Sequence, residues 1–414
     1  MRVRLVQRWA NLFIASTWVG AVAVIATGGN AAPSWVRTTS AGGVLALGGF
    51  GAVLVACVFL RLRTIKRRLG RAVTARREAP IAAPSDVIER AFAPLVESRA
   101  VRDLSVAVIL PRRHIIWFPS GDEKVRETRL YEIGSLTKPM TAELLATMIA
   151  DGTAAMATRV GDVLTESSLP DSIAAITLEE LVTHQSGLPR LPRSLTLRCA
   201  AALSGDPYRW LSGPALLRSL ARARRAAPRG TYSNFGFAVL GRALGERHSS
   251  DYARAFDARL LRPLGLANTY VDPEGEIASR LMRGHDAIGI RTPRWHFGAV
   301  AGAGGVCMTI ADGATWLAAH IEPPDEFREI VRMVTQPRAP LGGGRIGMGW
   351  CIHEVKGTAI VWHNGGTGGF SSFAAFDPAH EVGVIAFAAS AHDAALDRAG
   401  FEVVSECATR WGRS

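Results

Sequence analysis

The chain has 414 residues, 48% of them hydrophobic, which is enough for a large core and more than one structural unit. Its formal charge of +12 invites a nucleic-acid reading. Residues 1–77, however, hold twelve Arg or Lys and no Asp or Glu, and the other 337 residues carry 36 basic and 36 acidic side chains. The excess belongs to the N-terminal segment, so the composition implies no basic groove elsewhere and argues against nucleic acid as a partner.

In chain order, the first feature is apolar. Between Arg8 and Arg37 lie 28 uncharged residues, including WANLFIASTWVGAVAVIATG, and between Arg37 and Arg61 lie 23 more, including GGVLALGGFGAVLVACVFL. Each run exceeds the roughly 20 apolar residues that cross a bilayer as a helix. Arg2, Arg4 and Arg8 before the first run, and the small residues of GNAA after it, also fit a cleaved signal peptide. A second run so soon afterwards favours two membrane helices, at about residues 9–28 and 41–60. The sequence therefore predicts a multi-pass membrane anchor over residues 1–77, whose basic flanks meet lipid headgroups. Three bases precede the pair of spans and eight follow it in RLRTIKRRLGRAVTARR, against Arg37 alone between them. The positive-inside rule then places both ends in the cytoplasm.

EAPIAAPSD, residues 78–86, reads as a linker, and residues 87–414 as one globular domain. LSVAVIL and HIIWF, separated by PRR, predict a β-hairpin. Helical patterns follow at 138–152, 174–183, 214–225, 235–246 and 251–261, separated by turn-rich stretches such as HQSGLPRLPRS and APRGTYSN. Strand-like runs return in TAIVWH, SSFAAFD and EVGVIAFAAS, and a helix over 391–411 closes the chain. Strands at both ends around a helical middle make the fold class α+β, a sheet built from both termini with an inserted helical region. The five cysteines, Cys57, Cys199, Cys307, Cys351 and Cys407, show no C-x-x-C spacing and read as free thiols, with no metal site or cofactor implied.

Lysine is rare here: only Lys66, Lys124, Lys138 and Lys356 occur, and arginine supplies the remaining positive charge. Lys138 stands three residues after Ser135 in YEIGSLTKPMTAELL. Pro139 fits a helix only in its first turn, which puts Ser135 at or near a helix start, beside unpaired N–H groups. Residues three apart share a helix face, so Lys138 adjoins the Ser135 hydroxyl. A buried lysine can lose its proton, as arginine cannot, and such an amine activates a serine nucleophile. Taken alone, the spacing also suits a capping serine and a solvated lysine. GTYSNFG places Tyr232 and Asn234 two apart in a turn before a helix, where a phenol can relay a proton and an amide can orient a substrate. An Asn N-cap and a packed Tyr are the alternative. VWHNGGTGGFSS ends a strand at His363, followed by Asn364, Gly365 and Gly366, where backbone N–H groups can receive an oxyanion; the alternative is a plain glycine-rich hairpin.

Ser135-x-x-Lys138, Tyr232-x-Asn234 and His363-Asn364-Gly365, in this order, resemble the three motifs of the serine β-lactamase and penicillin-recognising family. ITLEELVTHQSGLP, YSNFGFAVLGRALG, LLRPLGLANTY, GAGGVCMTIADGATWL and GMGW resemble segments of its β-lactamase-related branch, so the likeness spans roughly residues 90–410. The resemblance implies an antiparallel sheet flanked by helices with an all-helical subdomain, and a serine hydrolase working through an acyl-serine. It implies Ser135 as nucleophile, Lys138 as its base, and Tyr232 as the relay to the leaving group. Asn234, His363, Asn364 and Gly365 are implied as substrate contacts, and the amides of Ser135 and Gly366 as the oxyanion donors. His363 replaces the lysine of the family's Lys-Thr-Gly motif, and a neutral imidazole holds a carboxylate less well. That shifts the expected substrate from β-lactams towards peptides of D-amino-acid type or esters. His184, in THQSGLP, reads as structural. The other function class is a binding or regulatory protein that keeps the fold without turnover. The family implies a place outside the cytoplasm, opposite to the side given by the charge rule.

Overall fold

The computed structural model describes residues 83–98, 100–119, 127–165, 168–192, 203–227, 230–355, 357–391 and 394–413. The predicted membrane spans, their basic flank and most of the predicted linker lie outside the described residues. Among the described residues no helix is long and apolar enough to cross a membrane.

The strands are β1 Ser105–Leu110, β2 Arg113–Trp117, β3 Tyr131–Glu132, β4 Thr269–Val271, β5 Val306–Met308, β6 Ala339–Leu341, β7 Gly344–Ile346, β8 Cys351–Val355, β9 Thr358–Gly366, β10 Ser371–Asp377 and β11 Val382–Ala388. Eight of them form one sheet in the order β2-β1-β11-β10-β9-β8-β7-β6, and β3-β5-β4 form a small second one. Every pairing in the large sheet is antiparallel. The predicted hairpin is β1–β2, and the three late apolar runs are β9, β10 and β11. The N-terminal β1 sits beside the C-terminal β11, so the sheet is closed by both ends of the domain, as the α+β reading expects.

The helices that matter for the site and the layers are α1 Pro84–Glu97, α2 Thr137–Ala150, α3 Leu178–Val182, α4 Gly213–Ala221, α5 Asn234–Arg247, α6 Ile310–Ile321, α7 Asp325–Thr335 and α8 Ala394–Trp411. Strands β10 and β11 are buried at every position because both faces are covered. On one face α8 packs against β10, with α1 alongside it; a Cβ at Gly400 would lie 2.3 Å from the Phe373 ring, so glycine lets helix and strand approach. On the other face α6 lies over β11 and β1, and a Cβ at Gly313 would meet Phe387 at 2.9 Å and Ile385 at 3.1 Å. The helical middle, including α2 and α5, continues the core on this second face.

The predicted linker ends earlier than expected. Pro84 opens α1, where its missing N–H costs nothing and its fixed φ suits the first turn, so residues 84–86 are helix. Cys307, Cys351 and Cys407 are free thiols, as expected of the described cysteines.

Candidate active site

Ser135 lies in a single 3-10 turn, Gly134–Leu136, that leads directly into α2, and Pro139 occupies the first turn of that helix. Gly134 has φ +52, and a Cβ there would come within 2.7 Å of the Gly366 nitrogen. Only glycine satisfies both the left-handed backbone and this approach. Gly365 is pressed against the same turn: its Cβ would lie 2.0 Å from the Ile133 carbonyl and 2.9 Å from the Ser135 nitrogen. The serine turn and the end of β9 are thus in backbone contact, which brings the Ser135 and Gly366 backbone nitrogens close to one another.

Lys138 is fully buried, whereas Ser135 remains partly exposed. The Lys138 Nζ lies 2.9 Å from the Ser135 Oγ and donates to the Ala303 carbonyl at 2.6 Å. Among the described residues no carboxylate pairs with it. Burial, reinforced by the positive charge of Arg190, holds its pKa well below the usual lysine value of 10.5. A lowered pKa makes this amine easier to deprotonate than an ordinary lysine, and the Ser135 Oγ lies within its hydrogen-bond reach. The Tyr232 phenol faces the Ser135 hydroxyl, and burial pushes its pKa up, keeping it protonated. Nζ lies 4.9 Å from the Tyr232 ring centroid.

Ser233, not Asn234, caps α5: its Oγ accepts from the Gly236 N–H at 2.9 Å and its hydroxyl donates to the Pro189 carbonyl at 2.7 Å. Asn234 is thereby freed for the cleft. Its Nδ2 donates to the Tyr208 hydroxyl at 3.2 Å, and its Oδ1 is buried without a partner among the described residues.

His363 is buried, with its ring centroid 6.0 Å from that of Tyr232. Its Nδ1 lies 2.7 Å from the Asn364 carbonyl, which can only accept, so the proton resides on Nδ1 and Nε2 is bare. Burial and the nearby Lys138 lower its pKa to about 3, so the imidazole is neutral at ordinary pH. Asn364 is not brought to the site. Side chains alternate across a strand, so Asn364 points to the face opposite His363, where its Nδ2 donates to Asp397 of α8 at 2.7 Å. The expectation of a substrate contact there is corrected by this period of two.

His184, expected to be structural, is buried, with its ring packed 4.5 Å from the Tyr232 ring and 4.9 Å from Phe237. Its Nδ1 accepts from the Ser233 N–H at 3.1 Å, and burial lowers its pKa well below the usual value. The backbone at His184 has φ +60, an unusual conformation for a non-glycine residue. Glu132, three residues before Ser135, is also buried; its Oε1 accepts from the Trp295 N–H at 3.1 Å, and burial raises its pKa to about 7. Among the described residues there is no cluster of His, Cys, Asp and Glu that would hold a metal ion.

The Beta-lactamase family model matches residues 88–406. The D-alanyl-D-alanine-carboxypeptidase/endopeptidase AmpH of Escherichia coli is 26% identical over 291 residues, covering 64% of this chain and 72% of that protein. The unguisins hydrolase of Aspergillus campestris is 25% identical over 290 residues, 62% of this chain and 52% of its own length. Among solved structures, a class C β-lactamase from Rhodobacter sphaeroides aligns with TM-score 0.67 at 21% identity, over 78% of this chain and 99% of its own. Another class C β-lactamase aligns with TM-score 0.69 at 18% identity, over 80% and 97%. The matched span takes in β1, the serine turn, both inner motifs and most of α8, and on it this chain belongs to the β-lactamase family of serine hydrolases.

Proposed function

We propose that the protein hydrolyses a peptide of D-amino-acid type or an ester through an acyl-serine on Ser135. The observation that carries this reading is the fully buried Lys138 amine 2.9 Å from the Ser135 Oγ, with a pKa held well below the usual lysine value by burial. Lys138 takes the hydroxyl proton as Oγ attacks the substrate carbonyl. The developing oxyanion is received by the Ser135 and Gly366 N–H groups, donors fixed before the substrate arrives. Tyr232, kept protonated by burial, passes a proton to the leaving group while its own is replaced from Lys138. Water then releases the acyl group by the reverse path. Asn234 offers its unpartnered Oδ1 to a substrate N–H.

The substrate class follows from His363. Where the family's third motif carries a cation, this chain places a neutral imidazole with a pKa near 3 and a bare Nε2 acceptor. That favours a substrate donor over a carboxylate at this position, and so a peptide amide or an ester over a β-lactam. The two apolar runs of residues 1–77 anchor the enzyme in the membrane. A fluorophosphonate probe tests the chemistry: intact mass should rise by one adduct that peptide mapping places on Ser135. Folded protein left unmodified by the probe would remove the catalytic reading.

A further inference from the structure

Sequence-wide charge balance conceals one local imbalance. Residues 207–245 contain seven arginines and no Asp or Glu. The fold gathers four of them, Arg218, Arg222, Arg224 and Arg225, around a cleft of about 770 Å³ between α4, the segment that follows it and the 187–189 turn. Among the described residues only Arg225 of these four is paired, with Glu180. Arg218, Arg222 and Arg224 are exposed. Mutual repulsion makes such a concentration costly unless something anionic enters it.

The cleft is distinct from the serine site, since neither Ser135 nor Lys138 lines it, but it shares a wall with that site. Thr231 and Phe235 border the cleft, and the residues between them include Tyr232 and Asn234. Pro189 borders it too, and the next residue, Arg190, holds its guanidinium carbon 5.0 Å from the Tyr232 ring centroid. Positive charge therefore runs from the mouth of the serine site, through Arg190, into the cleft.

We infer that the arginine cleft is a second substrate subsite, which takes a carboxylate-rich arm of the peptide or ester whose scissile bond lies at Ser135. This rests on the hydrolase reading above and adds to it. The neutral His363 explains why the anion is held here rather than beside the serine: this chain has moved its cationic recognition from the third motif to α4 and the segment after it. Arginine suits the task, because its planar fork binds carboxylates in pairs.

The test compares two p-nitrophenyl esters, one with an acetyl acyl group and one with an acyl group extended by a triglutamyl tail. The enzyme is the wild type or the surface variant Arg218→Ala/Arg222→Ala/Arg224→Ala. The variant should raise KM for the acidic ester about tenfold and leave its kcat and the acetyl ester unchanged, as expected for the loss of several solvent-exposed ion pairs. For the wild type, added salt should raise KM for the acidic ester alone. Equal effects on both esters, or none on either, would overturn the subsite. Binding of fluorescein-labelled hexaglutamate, read by anisotropy, separates this proposal from the catalytic one. If neither ester is turned over, tight hexaglutamate binding that the variant weakens upholds the cleft, and no binding refutes it.

Discussion

At the scale of single residues, the site depends on keeping one amine uncharged. Arginine cannot lose its proton, so Lys138→Arg should lower kcat/KM by about 10² to 10⁴, the usual contribution of a positioned base. The pH profile follows in sign from the lowered Lys138 pKa: activity should rise as pH climbs through that value and fall away below it. A kcat/KM profile with its acid limb near the ordinary lysine value of 10.5 would contradict this assignment. His363, at about 3, adds no limb near neutrality. Linkage gives the same group a thermodynamic signature. The unfolded chain binds a proton at Lys138 that the folded chain does not, so stability should increase with pH up to about 10.5, and Lys138→Met should flatten that slope in urea titrations. Gly134→Ala tests the backbone contact: its Cβ would sit 2.7 Å from the Gly366 nitrogen at φ +52. Strain of about 1–3 kcal/mol should push the two amides apart and slow fluorophosphonate labelling far more than it lowers the melting temperature. The neighbourhood of Ser135 and Lys138 was legible because residues three apart share a helix face, whereas Tyr232, remote in sequence, was reached only through the resemblance of the three motifs. Asn364 was misread because a motif written as letters hides the alternation of a strand.

At the scale of elements, two buried carboxylates join the site to its support. Glu143 of α2 accepts from the Trp316 Nε1 at 2.8 Å and meets the His320 Nε2 at 2.9 Å, while the His320 Nδ1 lies 2.9 Å from the Trp316 carbonyl. This ties α2, which carries Lys138, to α6. Glu143→Ala leaves the Trp316 indole N–H and the His320 Nε2 buried without partners, so chemical denaturation should show a loss of about 3–5 kcal/mol; a loss below about 1 kcal/mol would mean that the tie is dispensable. Glu132 on β3 acts in the opposite sense with pH. Its folded pKa of about 7 lies above the usual 4.5, so the folded state holds a proton that the unfolded state releases. The stability this confers is present below pH 4.5 and is lost as pH rises towards 7, on the order of 3 kcal/mol in all. Read as the difference between wild type and Glu132→Gln, which cancels the opposite contribution of the buried His363, the wild type's advantage should shrink from pH 4.5 to 7, and a difference constant across this window would refute it. The strands β9, β10 and β11 were legible as long apolar runs because both of their faces are covered. The edge strand β6 and its neighbour β7 were not, since three residues with a proline or a glycine carry no period. Helix α6, almost entirely buried, lacks the polar stripe by which an amphipathic helix is recognised.

At the scale of the whole molecule, charge and hydropathy divide the chain where the described core begins. Pro84 opens α1, whose buried face includes Val87, Ile88 and Phe92, and this helix packs against α8 at the other end of the domain. Among the described residues, the packing that forms the catalytic unit begins with this helix. A chain of residues 83–414 should fold cooperatively and accept the fluorophosphonate probe at the rate of the full chain. The full chain should sediment with membranes and resist alkaline carbonate, because two apolar runs of 28 and 23 residues are long enough to span as helices, whereas the shortened chain should stay in the supernatant. A carbonate-soluble full chain would refute the anchor, and an unfolded shortened chain would refute the boundary. The side of the membrane is a separate question, since eight bases after the second run place the domain inside by charge while the family resemblance places it outside. Fusions joined after residue 80 read it directly: green fluorescence follows from the charge rule, and alkaline phosphatase activity from the resemblance. The outcome bears on the arginine cleft as well, because it fixes which pool of acidic peptides or esters can reach Arg218 and Arg222.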